Sequence, residues 1–444
     1  MESFAGARMQ VPPAAAAGAR RLRAGSLALA AWLAVLAASW AWGSALNDSG
    51  ANILLASPPL FGEPDLRIDP WVLAPVAAAV LIVALAPGIA RTAPWRGLLA
   101  AAFGGALAWS VALALTGGPG ALAAPLEGPN EYLSAVPLVG SAGEFLATFT
   151  ERLDGYPTHV RGHPPGMVLA LLGLDSLGLH GTWPAALTIL LVAASAPVAA
   201  LIALRAVADE GQARRAAPYL VLVPGAVWIA TSADGLYMGV GAWAVALTVL
   251  AITGAGRRSD LLALGGGVAF GATLFLSYGL VLLGAIPLGV GLARRRLRPL
   301  LLAGVGVAAV VVTFAAAGFW WLDGLFEVRE QYAASVQRSR PYDFFILNNL
   351  AAFGLAAGPA AAIALGLLRD RRAWLLVGGG LTAVALADLS GMSKAEVERI
   401  WLPFLPWVLL ATAALPTLRW SGRALLAGQA AIGLAVQVGV RTVW

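Results

Sequence analysis

The residues best able to do chemistry lie in one polar loop, residues 128–166, of a chain that is otherwise largely apolar. Carboxylates can take a proton from an attacking hydroxyl group, and guanidinium groups can bind phosphate. A segment that only had to cross lipid would carry few such groups. We therefore expect binding or chemistry at this loop. Its candidate groups are Glu131, Glu144, Glu151, Asp154, His159, Arg161 and His163.

Composition places the chain among integral membrane proteins. Hydrophobic residues make up 59% of its 444 residues and charged residues only 12%, and a soluble domain cannot bury that much apolar surface. The pattern predicts an all-α polytopic membrane protein with about 13 transmembrane helices, since runs of about 20 apolar residues cross the hydrocarbon core. The predicted spans are 26–46, 71–89, 98–116, 183–205, 217–233, 236–253, 262–277, 279–293, 299–317, 346–367, 373–389, 400–417 and 424–440.

Basic residues collect in alternate loops, which predicts an orientation. The positive-inside rule makes the arginine-rich loops cytoplasmic, so the amino terminus lies inside and the loop 117–182 is extracytoplasmic. The net charge of +6 then follows from topology and does not indicate nucleic-acid binding. The bias towards Ala, Leu, Gly and Arg is typical of a GC-rich bacterial genome, which predicts a bacterial plasma membrane. The cytoplasmic set is Arg8, Arg20, Arg21, Arg23, Arg91, Arg96, Arg205, Arg214, Arg215, Arg257, Arg258, Arg294, Arg295, Arg296, Arg298, Arg369, Arg371, Arg372, Arg419 and Arg423.

Two apolar segments need separate interpretation. The first run, 26–46, exceeds a signal-peptide core and is predicted to be a retained anchor. The segment 163–181 is too short to span, so we expect an amphipathic helix in the outer interface, with Pro164 and Pro165 in its first turn. We find no ionisable residue in the middle of a predicted span and no internal repeat, which argues against a transporter.

Four motifs, in their order along the chain, resemble the GT-C glycosyltransferases. An acidic-aromatic motif, Asn130-Glu131-Tyr132, precedes HPP by roughly thirty residues, as in the first outer loop of the branch that uses polyprenyl-phosphate sugars. This branch includes protein O-mannosyltransferases and lipid A aminoarabinose transferases. The likeness continues through LVPGAVWIATSADGLYMGVGAWAVAL, where Asp234 stands as a family Asp does, RSRPYDFFILNN and SKAEVERIWLPFLPW. The family has Asp-Glu where this chain has Asn130-Glu131, and two spans precede the module.

The resemblance implies an organisation and an activity. Residues 1–25 would be a cytoplasmic tail, 26–97 two additional spans, 98–417 the GT-C-like module and 418–444 the last span and carboxyl terminus. The implied reaction moves a sugar, with inversion, from a polyprenyl-phosphate donor to an acceptor hydroxyl of a glycan, lipid or protein at the outer face. A lipid-linked-sugar flippase and a non-catalytic partner of cell-envelope assembly remain alternatives.

That reaction needs a base and a phosphate site. Glu131 is the predicted general base, and Glu127 is its nearest substitute. Cationic groups at span ends would stabilise the leaving phosphate, and a divalent cation is an open alternative as cofactor. Arg161 could equally bind a lipid headgroup, and Arg338 to Tyr342 could equally form an aromatic-belt anchor. The predicted substrate-binding residues are Asn130, Tyr132, Arg161, His163, Asp234, Arg338, Arg340, Tyr342, Lys394, Glu398 and Arg399.

Two further patterns have structural interpretations. His159 and His163 are four residues apart, but the surrounding prolines argue against one helix presenting both rings to a metal, so we assign no metal ligand. Ser393 and Glu396 match a capping box, in which Ser393 caps the next helix and Glu396 bonds back.

Overall fold

A computed structural model describes residues 13–51, 53–230, 232–416 and 420–442. The amino-terminal residues 1–12, which contain Arg8 of the predicted cytoplasmic set, lie outside the described residues, as does Arg419. The described chain is predominantly helical, with one two-stranded sheet in which β1 (Glu63–Pro64) pairs antiparallel with β2 (Val440–Arg441). This confirms the predicted all-α polytopic class.

Twenty α-helices account for most of the chain, with short 3₁₀ turns between them. The first ten are α1 Pro13–Asp48, α2 Leu73–Thr92, α3 Trp95–Ala114, α4 Ala142–Thr148, α5 Thr158–Arg161, α6 Gly166–Ser176, α7 Thr182–Ala194, α8 Ala196–Val207, α9 Glu210–Val221 and α10 Ala233–Thr253. The others are α11 Gly256–Leu276, α12 Ala285–Ala293, α13 Leu297–Ala316, α14 Trp321–Ala334, α15 Tyr342–Ala357, α16 Pro359–Leu367, α17 Arg371–Leu389, α18 Val397–Ile400, α19 Leu405–Leu409 and α20 Trp420–Gly439.

The predicted count of thirteen spans is not confirmed. Nine helical segments of the described chain are long and apolar enough to cross a membrane, or ten if the bent pair α15 and α16 forms one span. The nine are Arg20–Asp48, Pro70–Thr92, Trp95–Gly117, Thr182–Val207, Ala233–Thr253, Gly256–Leu276, Leu297–Ala316, Arg371–Leu389 and Val397–Ala414. α20 covers the predicted last span, 424–440, except for its final residue, and is not among the nine.

Interruptions of the helical backbone explain most of the difference between the thirteen predicted spans and the nine observed ones in the described chain. The predicted span 217–233 is not one helix, because α9 ends at Val221 and a 3₁₀ turn, Pro224–Trp228, precedes α10. Pro224 has no amide hydrogen to continue the helix, and the indole of Trp109 donates to the carbonyl of Val223 beside the break at 3.1 Å. Hydropathy reports that a segment is apolar and cannot report such a break.

Two other predicted spans are also not single straight helices. The predicted span 279–293 is a 3₁₀ turn followed by the nine-residue α12. The predicted span 346–367 bends by 97° between α15 and α16. Gly358 stands at the bend with a positive φ of 81°, a conformation that glycine adopts without strain.

Small residues allow the helices to approach closely. α11 packs along α13, and a Cβ placed on Gly267 would overlap the backbone carbonyl of Ala303. Close helix contact through small residues is the usual packing device in membranes, where lipid tails remove the hydrophobic drive between helices. The predicted additional span α1 is also integrated into the bundle, since Trp32 Nε1 donates to Gly354 O at 2.9 Å.

The arginine-rich loops meet at one end of the bundle. Arg214 Nη1 donates to Ala93 O at 2.9 Å, and Arg294 Nη2 donates to Val207 O at 2.7 Å. These bonds join loops that are distant in sequence. The polar loop 128–166 lies with other loops away from these contacts. Which membrane face each end occupies stays a prediction.

Candidate functional site

Asn130 fixes the fold of the polar loop. Its backbone carbonyl accepts from His159 N at 3.1 Å, and its side-chain Oδ1 accepts from Thr158 Oγ1 at 2.9 Å. Both contacts join the start of the loop to α5, near its end. The Asn130 side chain thus has a structural role in this loop.

Glu131 lies directly beside the imidazole of His159. The distance from Glu131 Oε1 to His159 Nδ1 is 3.0 Å, and both side chains are largely buried, at 13% and 14% exposure. A partly buried carboxylate that still reaches solvent can exchange a proton with a bound substrate. The neighbouring ring restricts the rotamers of Glu131.

His163 is held as a neutral ring. Its Nδ1 lies 2.9 Å from the carbonyl oxygen of His159, and since a carbonyl only accepts, we assign the proton to Nδ1. Burial lowers the pKa of His163 to about 4, although the negative charge of Asp234 opposes that shift. The ring centroid lies 5.8 Å from that of Tyr132 and 5.9 Å from that of Tyr237. His163 therefore presents an uncharged Nε2 near neutral pH.

A buried ion-pair cluster lies next to these groups. Arg399 Nη1 donates to Asp234 Oδ2 at 2.8 Å, and Arg399 Nη2 donates to Glu396 Oε2 at 3.1 Å. The side chains of Arg399 and Asp234 are only 7% and 4% exposed. Ser232 Oγ accepts from the backbone N–H of Asp234 and caps α10, which fixes the carboxylate at the helix start.

The charges of the ion-pair cluster affect the pKa values of residues in the polar loop. Burial raises the pKa of Tyr132 well above its usual value, and the neighbouring Tyr237, Asp234 and Glu131 raise it further. The pKa of His163 responds both to Asp234 and to Arg399. Five of the predicted residues are therefore brought together in one site, although they come from three distant parts of the chain: Glu131, Tyr132, His163, Asp234 and Arg399.

Glu398 connects this site to the amino-terminal part of the chain. The residue is 1% exposed, and its Oε1 accepts from the backbone N–H of Phe61 at 2.8 Å. Its Oε2 is buried and has no hydrogen-bond partner among the described residues. The segment before β1 is thereby attached to α18, where the sequence predicted a substrate contact.

Lys394 and Arg340 bind each other's backbone. Lys394 Nζ donates to the carbonyls of Gln337 and Arg340 at 2.9 and 2.8 Å, while Arg340 Nη1 donates to Lys394 O at 2.6 Å. Burial lowers the pKa of both side chains, and for Lys394 the charge of Arg340 adds to the effect. These contacts join two loops, so both cations already have partners.

The other predicted residues are more peripheral. Arg161 is half-buried at the end of α5, and its Nε has no hydrogen-bond partner among the described residues. Arg338 is exposed on a 3₁₀ turn, Val336–Arg338. The hydroxyl of Tyr342 donates to Leu389 O at 2.8 Å, which is a contact between helices α15 and α17.

The predicted capping box at Ser393 and Glu396 is wrong. Ala395 and Glu396 have positive φ angles of 72° and 63°, so α18 begins only at Val397, with Glu396 itself at the cap position and no side-chain cap bond. The carboxylate of Glu396 instead pairs with Arg399. The ion pair with Arg399 therefore fixes the Glu396 side chain, which the capping box predicts to bond to the backbone.

A groove adjoins the site on the side of α6. Its volume is about 350 Å³, and it lies beside the 3₁₀ helix Tyr132–Leu138 that follows Glu131. Glu127, the predicted substitute base, lines the groove and accepts from Thr182 Oγ1 at 3.1 Å. The apolar lining residues are Leu126, Leu133, Val136, Leu171, Leu174, Leu179 and Ala185.

No group of three or more His, Cys, Asp or Glu side chains within the described ranges is arranged to hold a metal ion. His159 instead lies against Glu131, and the ring of His163 bonds to the backbone carbonyl of His159. A cation bound jointly by protein and donor phosphate is a different arrangement and stays an open prediction.

Sequence reasoning missed Tyr237 and the Phe61 segment. Tyr237 stands three residues after Asp234 on α10, so its helical spacing places it on the same face and was a usable signal. Phe61 contacts Glu398 through its backbone, and a backbone donor leaves no residue-type signal in the sequence.

No protein-family profile matches the chain, and no curated protein matches it. The fold class and the geometry of the cluster are therefore the observations from which a function must be argued.

Proposed function

We propose that this protein is a membrane glycosyltransferase that moves a sugar from a polyprenyl-phosphate donor to an acceptor hydroxyl. The observation that supports this most is the position of Glu131, a partly buried carboxylate beside His159 and next to the Asp234–Arg399 pair. A base, a neutral hydrogen-bonding ring and fixed charges then stand together at the end of an apolar helical bundle.

Glu131 acts as the general base in this proposal. The acceptor oxygen forms a bond to the anomeric carbon while the bond from that carbon to the phosphate oxygen breaks, which inverts the configuration. The hydroxyl proton passes to the carboxylate of Glu131, and the electron pair leaves with the polyprenyl phosphate. His159 orients the carboxylate, because its Nδ1 lies 3.0 Å from Oε1.

Arg161 is the cation that we propose for the leaving phosphate. It is half-buried beside the site and its Nε has no partner among the described residues, whereas Arg399 already has two carboxylates and Lys394 two carbonyls. The proposed phosphate role of Lys394 and Arg399 requires those partners to be exchanged. Charge-assisted bonds to phosphate are the strongest that a side chain can offer.

The adjoining groove suits the first isoprenoid units of the donor. Its lining is mainly apolar, and it is continuous with the 3₁₀ helix that follows Glu131. In this proposal the tail lies in the groove, the phosphate binds Arg161 and the sugar lies at Glu131. The site faces the extracytoplasmic side in this proposal, because the arginine-rich loops occupy the opposite end of the bundle.

Purified protein reconstituted in lipid vesicles with radiolabelled polyprenyl-phosphate sugars tests the proposal. We expect release of the sugar to water or transfer to an added acceptor. Movement of the labelled lipid between leaflets without cleavage would instead support a flippase. Binding without either process would support a non-catalytic partner of cell-envelope assembly, and both results would contradict the proposed enzyme.

A further inference from the structure

A second charged cavity lies at the opposite end of the bundle, among the arginine-rich loops. Its volume is about 490 Å³, and three guanidinium groups line it, from Arg21, Arg215 and Arg369. They come from α1, from α9 and from the turn between α16 and α17. The proposed transfer reaction does not use this cavity.

The carboxylate that lines the cavity already has hydrogen-bond partners. Asp370 Oδ2 accepts from Gln212 Nε2 at 2.6 Å and from Arg372 Nη2 at 3.0 Å. Its hydrogen bonds to Arg372 lower its pKa to about 2, so it stays ionised and paired. The three arginines therefore face the cavity with a net positive charge.

The donors of these arginines are only partly used. Arg215 Nε donates to Ala413 O at 2.8 Å, and Arg369 Nη1 donates to the adjacent carbonyl of Leu368 at 2.9 Å. Each guanidinium carries five N–H donors. Arg21 and Arg369 are exposed and Arg215 is half-buried, so a ligand can reach all three.

The cavity lies where apolar segments end. The candidate spans Arg20–Asp48 and Arg371–Leu389 begin there, and Val397–Ala414 ends there, as does α16 at Leu367. Helix ends of this kind lie at the headgroup level of a bilayer. Basic pockets between helices at that level are suited to phosphate-bearing lipid headgroups.

We infer that this cavity binds the phosphate of an anionic phospholipid headgroup through Arg21, Arg215 and Arg369. Phosphate accepts several charge-assisted hydrogen bonds at once, which suits three converging guanidinium groups. The acyl chains then lie along the apolar surfaces of the adjoining helices. Binding depends on charge and weakens at high salt.

Native mass spectrometry of the full-length protein in detergent tests this inference. Palmitoyl-oleoyl-phosphatidylglycerol is titrated against the zwitterionic phosphatidylcholine with the same chains, with inorganic phosphate as a soluble competitor. We expect the first phosphatidylglycerol to bind at least tenfold more tightly than phosphatidylcholine. Equal binding of the two lipids would overturn the inference, and complete displacement by millimolar phosphate would assign a soluble anion instead.

Variants locate the site. Arg21→Ala combined with Arg369→Ala should weaken phosphatidylglycerol binding about tenfold or more. Arg257→Ala combined with Arg258→Ala removes the same charge from exposed positions at the same end and should change affinity less than twofold. Equal losses in the two double variants would show a diffuse charge effect and contradict a built site. The titration of the unaltered protein remains decisive if the first double variant fails to fold.

Discussion

Replacing Arg399 tests the buried ion-pair cluster most severely. Arg399→Met leaves Asp234 and Glu396 without their cation, at side-chain exposures of 4% and 22%. Breaking a buried pair by removing one partner costs ~3–5 kcal/mol. In Asp234→Asn, Arg399 keeps its bond to Glu396, so we expect a smaller loss of about 1–3 kcal/mol.

The assay measures the apparent melting temperature of the purified variants in detergent. Unfolding is monitored as the loss of the monodisperse peak after heating. Arg298→Met is the matched control, because its pair with Asp260 is 77% exposed on the arginine side and exposed pairs add little to stability. The double variant of Arg399 and Asp234 should lose less than the sum of the single losses. A melting temperature for Arg399→Met equal to that of the control would refute the cluster as described.

Three further predictions concern orientation, protonation and packing. A reporter fused after Arg298 should be cytoplasmic and one within 140–155 extracytoplasmic; a reversed pair would place every proposed catalytic group on the wrong face. The pKa of His163 falls from 6.5 to about 4 on folding, so its contribution to stability is lost as pH decreases from about 6.5 to 4. His163→Gln should therefore show a smaller drop in melting temperature across that window than the parent, and equal drops would contradict a buried neutral ring. Gly267→Ala should destabilise the α11–α13 contact, whereas Gly265→Ala, with open space around it, should be tolerated; similar melting temperatures would mean that the helices do not approach closely there.

Hydropathy predicts the position of a helix well where the backbone is unbroken. The predicted spans 299–317 and 373–389 correspond to Leu297–Ala316 and Arg371–Leu389. It fails at 217–233 and 346–367, because a proline or a left-handed glycine interrupts the helix without changing polarity. The excess of predicted spans comes largely from such segments.

The sequence predicts which residues belong to the site better than it predicts which of them are partners. Asp234 and Arg399 stand 165 residues apart, and the residues themselves were selected, but their pairing follows only from the packing of α10 against the last helices. The same packing determines the partner of Glu396, where the local capping pattern was misleading. Short-range motifs describe what a side chain can do, and tertiary contact decides which partner it has.

The side chain of Asn130 has a structural role. The amide bonds to Thr158 and joins the two ends of the polar loop, a role that needs no charge. Glu131 is then the acid in the motif that remains near His159. Glu131 is therefore the carboxylate of this motif for the proposed proton transfer.

The catalytic role of Glu131 is tested most directly by separating turnover from donor binding in Glu131→Gln. Glutamine keeps the size of the side chain and removes the basic oxygen, so we predict transfer slowed ~10²- to 10⁴-fold while the dissociation constant for the donor changes less than threefold. Glu330→Gln, which alters an exposed acid on α14, serves as the control with near-normal turnover. Normal turnover in Glu131→Gln, or a loss confined to donor binding, would contradict Glu131 as the base.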